Sequence, residues 1–133
     1  MSLELVPLCT ATLTLAAPIN VSSTLLVGEL LGMAIEGERI RASLKGHAGA
    51  DWLQVSPEGY GTLDVKVTLE TDDNAIIHAT YSGRILFDTR VVYSTPLFHT
   101  GDERYKWINR IQAVAKGTFT ARDTLVYEMY ELR

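Results

Sequence analysis

Gly59-Tyr60-Gly61-Thr62-Leu63-Asp64-Val65-Lys66-Val67-Thr68-Leu69-Glu70 sets Leu63, Val65, Val67 and Leu69 against Asp64, Lys66, Thr68 and Glu70 in strict alternation. A period of two sends successive side chains to opposite faces, so this stretch reads as a β-strand. Asp72-Asp73-Asn74 follows with turn residues that tolerate left-handed backbone, and the chain returns extended from Ala75 to Phe87. The two runs read as a hairpin.

Outward from this hairpin the same period recurs. Leu3 to Leu15 alternates Leu3, Leu5, Cys9, Ala11, Leu13 and Leu15 with threonines. Pro7 cannot donate to a ladder, so it marks an edge, a bulge or a separate short arm. Thr89 to Phe98, Gln112 to Thr120 and Thr124 to Leu132 read as further strands, the last two joined by Ala121-Arg122-Asp123. Gly28, Gly32 and Gly37, between Val21 and Leu44, read as bends, bulges or barrel corners. Asp102 to Ile111 is the one place for a short helical turn. Seven to nine strands with hardly any helix predict an all-β chain, either a closed barrel or a sandwich, and residues 1–133 show no composition break that would divide them.

The composition narrows the partners. Hydrophobic residues make up 47% and charged residues 21% of the chain, as expected of a folded globular domain. The net charge is -4 and the twelve basic residues are scattered, which argues against nucleic acid. No apolar run approaches the roughly 20 residues of a membrane-spanning helix, and Glu4 stands where a signal peptide would carry positive charge. The single cysteine, Cys9, has no disulfide partner within the chain, which fits a cytoplasmic location. His47, His78 and His99 lack metal-ligand spacing, and Asp72-Asp73-Asn74 lacks the spaced oxygens of a calcium loop, so no metal and no cofactor is expected.

Candidate chemistry lies in two motifs and one strand. Lys45-Gly46-His47-Ala48-Gly49-Ala50-Asp51-Trp52 reads as a flexible loop able to bring Asp51 over a cavity. Gly101-Asp102-Glu103-Arg104-Tyr105-Lys106-Trp107-Ile108-Asn109-Arg110 is dense in hydrogen-bonding side chains; Tyr105, Trp107 and Asn109 suit a ligand wall or, equally, a structural plug. Asp64 and Glu70 either face the lumen, where dehydration would raise their pKa into the range useful for acid–base work, or face water while the apolar residues fill the interior. No serine sits in a nucleophile-elbow context.

Gly49-Ala50-Asp51-Trp52, Leu63-Asp64-Val65-Lys66, Glu70-Thr71-Asp72-Asp73-Asn74, Tyr81-Ser82-Gly83, Phe98-His99-Thr100-Gly101 and Tyr105-Lys106-Trp107-Ile108-Asn109 together resemble the domain-of-unknown-function 3237 family, nearly end to end. The chain departs from the family pattern at Leu97 and His99, on either side of Phe98, and at Asp73-Asn74, where an Asp-Gly turn is usual. The resemblance implies a single small antiparallel β-barrel, lipocalin-like or allene-oxide-cyclase-like, and singles out Asp51, Trp52, Asp64, Tyr81, Gly83, Tyr105, Trp107 and Asn109. Gly83 is read as serving close backbone approach rather than a site.

The leading expectation is a barrel holding a small, partly apolar organic molecule, acting as a cofactor-free isomerase, cyclase or lyase. Asp51 or Asp64 would exchange a proton, Tyr81 or Tyr105 would polarise a carbonyl, and Trp52, Trp107 and Asn109 would contact the ligand. The alternatives are a non-catalytic binding protein and a homo-oligomeric interaction module. Asp51, Tyr105 and Trp107 are expected to border one shared pocket.

Overall fold

In the computed structural model, which describes residues 1–133, ten strands follow in the order β1 (Leu5–Leu15), β2 (Ile19–Ser22), β3 (Leu25–Glu36), β4 (Arg41–Val55), β5 (Tyr60–Thr71), β6 (Ile76–Leu86), β7 (Val91–Ser94), β8 (Leu97–His99), β9 (Ala113–Ala121) and β10 (Thr124–Leu132). A 3-10 helix, Glu103–Arg110, separates β8 from β9. Antiparallel pairing runs β1-β10-β9-β7-β6-β5-β4-β3, and β3 pairs back onto β1. Eight strands therefore close a barrel, which removes the open edges that an antiparallel sheet would expose. β2 lies outside the ring on β3, while β7 and β8 both pair with β6 and act as one interrupted stave. The break falls at Thr95-Pro96, where Pro96 has no N–H for the ladder, so the single strand expected over Thr89 to Phe98 is two short ones.

The interior is apolar, and the alternation in β5 shows how it forms. Leu63, Val65, Val67 and Leu69 are buried, while Asp64 and Lys66 are exposed. Of the two orientations open to β5, the structure adopts the one with Asp64 in water. The lumen reading of Asp64 is thereby corrected: the inward face of this strand is already filled by four apolar side chains, and a strand cannot turn both faces inward. In β1 the register shifts between Pro7 and Cys9, as a bulge at the proline would have it, and the buried set becomes Leu8, Ala11 and Leu13.

A second correction concerns Lys45 to Trp52. These residues lie within the long strand β4 and do not form a free loop. Register against both neighbours shifts across the segment, between Leu44 and Gly49 on β5 and between Glu29 and Ala34 on β3. Gly46 takes a positive φ of 58° there, so the glycine serves a bulge that absorbs the extra residues.

Twenty-four buried residues form one hydrophobic cluster, which includes Ile108 in the last turn of the 3-10 helix and Ile111, its C-cap. The helix lies across the end of the barrel that carries the β3–β4 and β5–β6 turns. Arg104 makes ion pairs with Asp73 of the β5–β6 turn and with Asp102, the helix N-cap. Arg39 of the β3–β4 turn stacks its guanidinium 4.7 Å from the Trp107 ring centre. No helix is long and apolar enough to cross a membrane.

Candidate functional site

The end opposite the helix is open. There the barrel encloses a cavity of about 750 Å³, within the range that accommodates small organic ligands. Seventeen of its twenty-three lining residues are hydrophobic, among them Leu13, Leu30, Leu53, Val65, Ile85 and Phe119. The polar groups within this apolar wall are few: Asp51, Tyr81 and Tyr127 at depth, and Arg90, Arg122 and Asp123 at the rim.

Strand register explains the deep group. Asp51 of β4 stands opposite Val65 of β5, and Val65 stands opposite Tyr81 of β6, so Asp51 and Tyr81 point inward two strands apart at one level. Between the Asp51–Val65 and Gln54–Thr62 pairs the β4–β5 ladder lapses. In that gap Asp51 Oδ1 accepts the Asp64 N–H at 2.9 Å, so the carboxylate takes the place of a missing backbone acceptor. Tyr127 of β10 completes the set from across the ring; its ring meets that of Tyr81 edge to face, with centres 5.9 Å apart.

Burial dominates the electrostatics. Loss of solvent raises the Asp51 pKa to about 6; the Asp64 N–H bond opposes the rise, and the nearby Asp64 charge adds to it. Burial, with the Asp51 charge and the partner phenol adding to it, pushes the Tyr81 hydroxyl well above its ordinary value. Tyr127 is raised for the same first reason. Both phenols are thus held as neutral hydrogen-bond donors beside a carboxyl group that titrates near neutrality. Ser94 Oγ, buried on β7, has no partner at ordinary hydrogen-bond geometry, yet it lies near enough to the Tyr127 phenol to favour its ionised form slightly.

The other residues singled out in the sequence fall elsewhere. Trp52 alternates outward next to Asp51 and is 43% exposed on the outer wall. Tyr105, Trp107 and Asn109 sit in the 3-10 helix at the closed end, away from the cavity that Asp51 lines. The shared pocket expected of Asp51, Tyr105 and Trp107 is therefore corrected: the 3-10 helix is a plug, and its polar side chains bond the protein itself. Tyr105 donates to Asp73 Oδ1 at 2.8 Å. Asn109 accepts the Thr100 N–H at 2.8 Å and donates to the Thr100 carbonyl at 2.9 Å, so one amide satisfies both backbone groups of a residue outside any ladder. Asn109→Ala leaves both without a partner and is expected to cost about 1–3 kcal/mol, read as a lower urea midpoint with an unchanged slope.

Tyr127 was not among the residues singled out. Its signal was present: Leu125, Tyr127 and Met129 share one face of the final strand, and a tyrosine among inward apolar residues of a barrel is a lumen group. A further hollow, of about 690 Å³, lies outside the barrel between the β1 bulge and the β3–β4 turn. Its Arg39 and Arg133 are already paired with Glu131, and it brings together no comparable set of groups. No group of three or more His, Cys, Asp or Glu side chains is placed to hold a metal ion.

The family model described as "Protein of unknown function (DUF3237)" matches residues 3–92 and 86–132. No curated protein matches the chain. Among solved structures, a beta-barrel like protein from Acinetobacter baumannii AYE is 23% identical, with a TM-score of 0.86 over 100% of this chain and 98% of its own. A conserved protein of unknown function from Rhodopseudomonas palustris is 21% identical, with a TM-score of 0.89 over 100% and 99%. An enzyme from Penicillium herquei is 24% identical, with a TM-score of 0.72 over 99% and 94%. At these identities the likeness is one of fold.

Proposed function

Because the chain belongs to the DUF3237 family, whose description assigns no activity, we propose its function from its own geometry: it binds a small, partly apolar organic molecule in the open cavity and moves a proton on it at Asp51, without a cofactor. The observation that carries this reading is the Asp51 carboxyl, raised to about 6 in an apolar chamber beside two neutral phenols. A carboxylate at this position can take a proton from the carbon next to a ligand carbonyl. Tyr81 or Tyr127 donates a hydrogen bond to the carbonyl oxygen as negative charge develops there, and the proton returns to a different atom of the same molecule. The net change is an isomerisation or a ring closure, with no redox step. Apolar walls exclude water and keep the intermediate from being quenched. That a barrel of similar fold is an enzyme lends this reading modest support.

The test is a panel of carbonyl-containing aromatic and polyene compounds, followed by absorbance and by deuterium incorporation from heavy water. Turnover dependent on Asp51 is expected. Tight binding with neither conversion nor exchange would make the protein a carrier. If Asp51 acts as the base, the rate rises with pH through about 6 as the carboxyl ionises, then levels off. A profile flat from about pH 4 to about pH 8 would refute proton transfer by this group.

A further inference from the structure

The rim of the cavity carries two guanidinium groups that have no carboxylate partner. Arg90 lies in the β6–β7 turn and Arg122 in the β9–β10 turn; both line the cavity. Neither takes part in any of the protein's ion pairs, which use Arg39, Lys45, Arg104, Lys106 and Arg133. Asp123 is the one acidic side chain of the rim; it accepts from the Thr124 hydroxyl and forms no ion pair with either arginine. Asp88, in the same turn as Arg90, accepts the Thr89 N–H and does not line the cavity.

Arg90 is also held in place. Its backbone has a φ of 57°, in the left-handed region that side-chain-bearing residues seldom adopt, and its N–H bonds the Leu86 carbonyl at 2.8 Å. Its guanidinium sits 4.4 Å from the ring centre of Phe119, itself a cavity residue. A stacked guanidinium keeps its N–H edge free, and that edge matches the two oxygens of a carboxylate.

Resting on the reading of this chamber as a ligand site, we propose that its ligand is an organic carboxylate, with the anionic group held at the rim by Arg90 and Arg122 and the apolar body directed inward toward Asp51. The charges dictate this orientation. A ligand carboxylate placed at depth would meet the Asp51 carboxylate in an apolar setting, whereas at the rim it meets two cations and one anion. The strand from Tyr81 to Leu86 rises about 16 Å; after subtraction of the reach of an arginine side chain, the carboxylate and the reacting centre lie on the order of 10 Å apart. That span fits two or three fused rings, or a short polyene, bearing an acid at one end.

The experiment compares anthracene-2-carboxylic acid with its uncharged methyl ester by fluorescence titration near neutral pH, on the wild type and on R90Q/R122Q. Wild type is expected to bind the acid about tenfold or more tighter than the ester, because the rim supplies charge-assisted hydrogen bonds only to the acid. The preference should shrink as salt is added. R90Q/R122Q should bind both probes with the affinity that wild type has for the ester. Both arginines are exposed, and an unchanged thermal transition shows that the variant is folded; the wild-type salt series tests the same point without any substitution. If wild type binds ester and acid equally, or the preference survives in R90Q/R122Q, the carboxylate inference fails while the chamber stands as a ligand site. If neither probe enters the wild-type cavity, both readings fail.

Discussion

If Asp51 is the proposed acid–base group, Asp51→Asn is expected to lower turnover by about 100-fold or more while leaving ligand affinity nearly unchanged, since it keeps the shape of the side chain and removes its ionisable carboxyl. The same substitution is expected to stabilise the fold above pH 6. Asp51 has a pKa of about 6 in the native state against 3.8 for the unperturbed group, so between these values the native protein holds a proton that the unfolded chain has released. Wild-type stability therefore falls as the pH rises from about 4 to about 6 and is flat beyond, the full difference amounting to about 3 kcal/mol. Asparagine carries no charge to desolvate, and its carbonyl can still accept the Asp64 N–H. Urea unfolding of both proteins at about pH 4 and about pH 8 checks this, because groups common to both cancel in the difference. A carboxylate kept only to hold β4 against β5 would give the opposite result, with the variant weaker at the higher pH and turnover intact.

Gly83→Ala is expected to lose about 3 kcal/mol or more, enough to leave much of the protein unfolded at moderate urea concentrations. A Cβ at this position would overlap the Tyr93 carbonyl oxygen and approach Ser94 Cα to 2.9 Å. Both are backbone atoms of β7, which pairs with β6 through Gly83 and Ser94 and cannot retreat without opening the ring. Overlap with a flexible side chain would be relieved cheaply; overlap with a ladder is not. By contrast, Gly28→Ala meets nothing within 4 Å and serves as the control. Matching melting curves for the two variants would overturn the argument.

The strands were legible where alternation was clean. Thr124 to Leu132 was read with the bounds that β10 has, and the core strand β5 was read to within a residue at either end. Lys45 to Trp52 was misread because Gly46 and Gly49 break the apolar alternation; β3 and β5 on either side hold that segment extended, and such support comes from residues distant in sequence. The deep site was half legible. Asp51 was named from its motif and Tyr81 through the family resemblance, yet their meeting depends on register across β4, β5 and β6. Tyr127 joins them only because the ring closes through β10, which no local pattern reveals. The density of polar residues from Asp102 to Arg110 suggested a ligand as readily as a plug. The plug reading prevails because each polar side chain of Tyr105 and Asn109 finds its partner in the protein.

With the 3-10 helix shutting one end, whatever leaves the chamber leaves by the opening through which it came. On the proposed function, product and incoming substrate contend for a single passage, and a product that keeps the apolar body of its precursor inhibits by occupying it. A faster chemical step would not raise throughput once release becomes limiting. Rates would then fall as solvent viscosity rises, and enlarging the passage near Phe87 would speed the cycle even where it slows the chemistry.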